Sequence, residues 1–193
     1  MERMRSILAG LTVALLTVGV STGAQTNQPG IHLDVDQIKT IANRVRAGRS
    51  LQPDTWPNGA RVAVLLSFDV DNDTARIGRD ENPSIGAMSQ GEYGARVGLR
   101  RVVDLMDRHQ IPASFFIPAV SLILRPDMVD MIQESGRHEF GVHGWIHELN
   151  TALDAETERE LVSRATTYLE DVTGTRPVGY RAPSWNFSPN TLS

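Results

Sequence analysis

The chain is predicted to fold as an α/β protein built on a parallel sheet, and three observations point there. Residues 62–66 form a continuous apolar run that ends in acids, as expected of a strand buried on both faces. Strand-like runs then alternate with segments of helical periodicity. The chemically distinctive residues, Asp69, Asp71, His143 and His147, fall where such strands would end. Open parallel sheets place their sites at that rim.

Taken in order, residues 1–24 have a basic start, an apolar run over 7–20 and a small-residue site at Thr22-Gly23-Ala24. This is the pattern of a secretory signal peptide cleaved after Ala24. The run is shorter than the roughly 20 residues that span a bilayer, so no stable membrane anchor is expected after cleavage. Residues 25–60 form an N-terminal extension in which Val35, Ile38, Ile41, Ala42 and Val45 recur at the spacing of a short amphipathic helix. Prolines and glycines over 48–59 punctuate the chain before a catalytic domain at 61–193.

Within that domain, residues 62–66 lead as a strand into Ser67-Phe68-Asp69, and 72–91 form a polar connection long enough to expect a functional loop. Leu99, Val102, Val103 and Met106 mark a helix, and Ile111-Pro112 ends it before a strand at 113–117. Pro126 opens a second helix carrying Met128, Met131 and Ile132, stopping near Gly136 before a strand at 139–142. Asp154 caps a third helix, with Leu161, Ala165, Tyr168, Leu169 and Val172 inward and Gly174 at its end. Residues 177–181 read as a fourth strand. Ser188-Pro189 resembles a further helix start, and the domain reads as cut short at Ser193. About four βα units are too few to close an eight-stranded barrel.

Composition narrows the chemistry. The chain has no cysteine, which excludes thiol catalysis and disulfides. Its formal charge is −4, and removal of Glu2, Arg3 and Arg5 with the signal (a net +1) makes it −5. An acidic chain without a basic cluster is a poor partner for nucleic acid or anionic membranes. The composition does not set the oligomeric state.

His143-Gly144-Trp145-Ile146-His147 places two imidazoles four residues apart, which one helical face would bring together if a helical turn began at His143. Asp69 and Asp71 would share one face of a strand while Val70 turns away. One acid can ligate a metal and the other can take a proton from the metal's water. Asp73 is a weaker rival as ligand. Trp145 reads as a packing wedge, and Glu148 as a helix-surface charge or a hydrogen-bond acceptor behind His147.

Three ordered blocks, Ser67-Phe68-Asp69-Val70-Asp71, His143 to His147 as above, and Arg181-Ala182-Pro183-Ser184-Trp185, resemble those of the polysaccharide deacetylase (NodB-homology) family. The segment 111–118 adds to the match. The resemblance implies an irregular, usually seven-stranded (β/α) barrel, of which about the first four βα units are present. It implies Asp69 as general base, Asp71, His143 and His147 as ligands of one divalent ion, often zinc, and Arg181 as the residue that orients the base. It also implies Pro183 and Trp185 as substrate contacts. Val70 separates the two acids, where the usual motif has them adjacent; this resembles the branch of peptidoglycan deacetylase-like and allantoinase-like proteins. The family's later histidine, the acid for the leaving amine, has no counterpart.

The implied activity is hydrolysis of a non-peptide carbon–nitrogen bond in an exported protein. An N-acetylated amino-sugar glycan, such as peptidoglycan or a chitin-like polymer, is the expected substrate. A cyclic amide or ureide hydrolase and a noncatalytic carbohydrate-binding relic are the alternatives.

Overall fold

The computed structural model describes residues 29–44 and 53–192. The expected signal peptide and Val45 lie outside the described residues. The chain divides into two units, Met1–Thr55 and Trp56–Ser193.

In the first unit, helix α1 spans Val35–Arg44. Asp34 and Gln37 start it with a reciprocal capping box, each side chain accepting the other's backbone N–H at 2.8–2.9 Å. Val35, Ile38 and Ile41, the apolar positions that predict the helix, are exposed.

The second unit is built on three parallel strands in the order β1-β2-β3: β1 Ser67–Asp69, β2 Ser114–Ile117 and β3 Glu139–Val142. In register, Asp69 lies beside Phe116 and Ile117 beside Val142. The crossovers carry α2 (Thr74–Ile77), α3 (Ile85–Tyr93) and α4 (Leu99–Arg108) between the first two strands. α5 (Ala119–Leu124) and α6 (Asp127–Gln133) follow β2, and α7 (Ala155–Thr173) follows β3. β2 is central and its apolar side chains fill the core: Phe115 and Ile117 are fully buried with Leu122, Met128, Ile132 and Leu169.

Three expected elements differ in the structure. Residues 62–66 are not a buried strand, because β1 is the sheet edge among the described residues. With nothing to cover them, Val62, Val64 and Leu65 are 71%, 81% and 76% exposed. The fourth strand shrinks to a single parallel bridge between Val142 and Tyr180, with Val142 N–H donating to Gly179 and Arg181 N–H to Val142. The polar connection after Asp71 is not a bare loop: it holds α2 and α3, and runs on through a π turn at Gly94–Gly98 into α4.

α7 forms as its sequence dictates. The Asp154 carboxylate accepts the Thr157 N–H at 2.8 Å, and Gly174 leaves the helix at φ 71°. Asp154→Ala should cost about 1 kcal/mol of stability, read as a lower denaturant midpoint with unchanged slope.

Candidate metal centre

β1 and β3 deliver the site from the same rim of the sheet. Val70 N–H donates to the Phe116 carbonyl at 2.9 Å, extending the pairing one residue past Asp69. Val70 therefore points into the core, and Asp69 and Asp71 both face a cavity of about 550 Å³. His143 leaves β3 with its N–H on the Ile117 carbonyl at 3.2 Å, and it faces the same cavity with His147.

The two imidazoles converge without a helix. Gly144 and His147 both have left-handed backbone, φ 78° and 64°, which no helical turn accommodates. A buried carboxylate holds the loop instead. Glu148 accepts the Trp145 N–H at 2.9 and 3.0 Å on its two oxygens and the Ile146 N–H at 2.8 Å. A side chain at 144 would collide with it, since a Cβ there would lie 2.8 Å from Glu148 Oε1. From the opposite side, Ala119 and Val120 at the start of α5 donate to the carbonyls of Gly144 and Trp145. Glu148 is thus a pin for the histidine loop rather than a helix-surface charge.

Asp71 lies between the rings. Its Oδ1 is 3.4 Å from His143 Nε2 and its Oδ2 is 3.4 Å from His147 Nε2. The three candidate ligand atoms lie within 4.8 Å of one another. His143 Nδ1–H donates to the Arg181 carbonyl at 2.7 Å, which leaves the Nε2 lone pair facing the carboxylate. Two acceptors at that separation repel unless a cation lies between them. Asp71 Oδ1 is buried without a hydrogen-bond partner, as a ligand atom awaiting a cation would be.

The protonation states agree. Burial holds His143 below its ordinary 6.5 despite the opposing bond to Arg181 and the charges of Asp71 and Asp69, so the ring is neutral at neutral pH. Burial pushes Asp71 upward, but contact with His147 and the charges of His143 and Arg79 outweigh it and hold the carboxyl below 3.8. Two imidazoles and a carboxylate form a suitable donor set for a divalent ion such as zinc.

Asp73 does not join this set. It is buried against α3, where a Cβ on Gly91 would lie 2.3 Å from its Oδ1, and burial followed by the charge of Glu92 raises its pKa.

Asp69 is held from across the cavity mouth. Arg181 Nη1 donates to Asp69 Oδ1, Nη2 donates to Ser67 Oγ at 2.7 Å, and the guanidinium lies 4.1 Å over the Phe116 ring. The pairing fixes the carboxylate in one orientation. Trp185 lines the cavity and is 80% exposed. Pro183 is fully buried, and its neighbours Ala182 and Ser184 line the cavity on either side of it in sequence. Trp145 packs edge-on against Tyr168 under the Arg164 guanidinium, away from the cavity.

An α/β fold that gathers a carboxylate and two histidines at the strand ends, beside an arginine-held acid, presents the donor set of a candidate hydrolytic metal centre. The family model for polysaccharide deacetylase matches residues 91–193, and the chain belongs to that family. It is 32% identical over 130 residues to a peptidoglycan deacetylase of Helicobacter pylori, covering 65% of this chain and 43% of the relative. A peptidoglycan deacetylase-like protein of Gibberella zeae is 33% identical, over 69% of this chain and 40% of its own length.

Among solved structures, one from Mycobacterium smegmatis described as a polysaccharide deacetylase superposes with TM-score 0.67 at 35% identity, covering 72% of this chain and 49% of the other. The Puue allantoinase superposes with TM-score 0.65 at 26% identity, covering 74% of this chain and 53% of the other. The chain spans roughly half the length, or less, of these relatives.

Proposed function

We propose that this chain carries the metal- and base-bearing part of an exported N-deacetylase acting on an amino-sugar glycan of the peptidoglycan type. The observation that carries the reading is the convergence of Asp71, His143 and His147 beside the Asp69–Arg181 pair in one cavity. Kinship with peptidoglycan deacetylases supports the substrate class. We read the three-stranded sheet as part of a (β/α) barrel. No helix among the described residues is long and apolar enough to cross a membrane.

Asp71, His143 Nε2 and His147 Nε2 would hold one divalent ion, with zinc the first choice for two imidazoles and a carboxylate. When bound, such an ion supplies Lewis acidity toward the acetyl carbonyl and lowers the pKa of water. The remaining chemistry falls to the chain's own residues. Arg181 occupies Asp69 Oδ1, leaving Oδ2 to accept the proton of the attacking water. The His143 bond to the Arg181 carbonyl ties the base's partner to a ligand, so base and metal site are fixed by one residue. Trp185, at the cavity rim, offers an apolar face to a sugar ring. Among the described residues lining the cavity, no other histidine or carboxylic acid is present to protonate the leaving amine.

Asp69→Asn should retain the metal and reduce acetate release from an N-acetylated glycan by roughly 10²- to 10⁴-fold. Unchanged acetate release would exclude Asp69 as the base. The allantoinase likeness favours a second reading, hydrolysis of a cyclic amide. Consumption of a ureide or imide without release of acetate would select it.

A further inference from the structure

We infer that the cavity accepts an N-acyl substrate that also bears a carboxylate, which Arg76 and Arg79 hold. The inference rests on the deacetylase reading above and specifies the substrate further.

Both arginines come from α2 and the residue pair after it, within the polar connection that the sequence marks as functional, and both line the cavity beside Asp71. Neither forms an ion pair with a carboxylate among the described residues. Their fixed partners are neutral: Arg76 Nη2 donates to Gln90 Oε1 at 2.7 Å, and Arg79 Nη2 donates to Ser184 Oγ at 2.5 Å. By contrast, Arg96, Arg125, Arg176 and Arg181 each donate to a carboxylate.

The nearby acids form no ion pair with either guanidinium, although the charge of Arg79 reaches Asp71. Asp80 Oδ1 accepts the Asn82 N–H at 2.9 Å, and the two oxygens of Asp71 face His143 and His147. Each guanidinium has five N–H donors, so most of the donors on both remain for a ligand. A planar carboxylate matches that fork geometry.

The orientation of Arg79 is maintained at a cost. Ser184 and Trp185 sit at φ 54° and 52°, a left-handed conformation that side chains other than glycine rarely adopt. That turn brings the Ser184 hydroxyl to Arg79 and puts Trp185 on the cavity rim. Strain at a ligand-facing turn fits a role in recognition. Arg76, Gln90, Arg79 and Ser184 all line the cavity, and the only formal charges among these four are positive.

The test uses the zinc-loaded full chain and two probes of nearly equal size, N-acetylmuramic acid and its methyl ester. Isothermal titration should give about tenfold tighter binding of the acid, the value of one charge-assisted contact. Arg76→Gln and Arg79→Gln should each reduce that ratio, the double variant should bring it to one, and Ser184→Ala should reduce it while leaving the charge in place. A ratio of one in the unaltered chain, a ratio unchanged in the double variant, or binding of neither probe would overturn the inference. Acetate release is followed in parallel. Absence of release from both probes counts against the deacetylase reading, whereas the binding ratio decides the carboxylate subsite.

Discussion

His147→Ala should lower affinity for a divalent ion by at least about 100-fold, while the chain stays folded. Loss of residues that merely support metal ligands costs 10- to 100-fold, so loss of a ligand sets that range as its floor. The fold survives because His147 lies on a loop and its ring is not part of the sheet core; its neighbours at the site are the His143 ring, 5.1 Å away, and Asp71. His143→Ala should have the same effect on metal and a larger one on stability, since both rings are buried but that of His143 also donates to the Arg181 carbonyl. Zinc titration with a competing chelator, alongside thermal unfolding, separates the two quantities. Retention of zinc by both variants would show that the ion is held elsewhere.

Glu148→Ala reduces both stability and metal binding. The substitution leaves the Trp145 and Ile146 N–H groups without their acceptor, and unmet buried donors cost 1–3 kcal/mol each, so a loss of about 3 kcal/mol is expected. Without the pin, the left-handed turn at Gly144 no longer fixes the spacing of the two rings, and metal affinity falls by roughly 10- to 100-fold. Glu148→Gln, with one carbonyl oxygen in place of two, should recover part of both. A purely structural role would lower stability in Glu148→Ala and leave zinc affinity intact, which the same titration would detect.

The parts that were legible in the sequence are those whose signals are local. Asp154 and Gly174 delimit α7 because a cap and a left-handed stop act over one turn of chain. β3 and α4 follow from apolar periodicity next to clear breaks. The departures arise where distant chain decides. Residues 62–66 have the composition of a buried strand, but burial needs a neighbour on the outer edge of β1. The bridge at Tyr180 depends on how far β3 extends, a property of another segment.

The site shows the same division. Asp71, His143 and His147 are brought together as their spacing promised, but by a different route. A His-x-x-x-His spacing carries no information about the backbone between the residues; Gly144 followed by Glu148 does, as a left-handed turn beside a buried acceptor. That pair was the available signal for the pin. The Arg79–Ser184 contact spans 105 positions, and no spacing rule reaches that far.

Asp71, His143 and His147 are proposed to hold one catalytic ion. Anomalous diffraction at the zinc edge, from crystals of the chain grown with zinc, tests it most directly. One strong peak bonded to an Asp71 oxygen and to Nε2 of both histidines, at about 2.0–2.2 Å, is expected. A peak on Asp73, or none at these three residues, would contradict it.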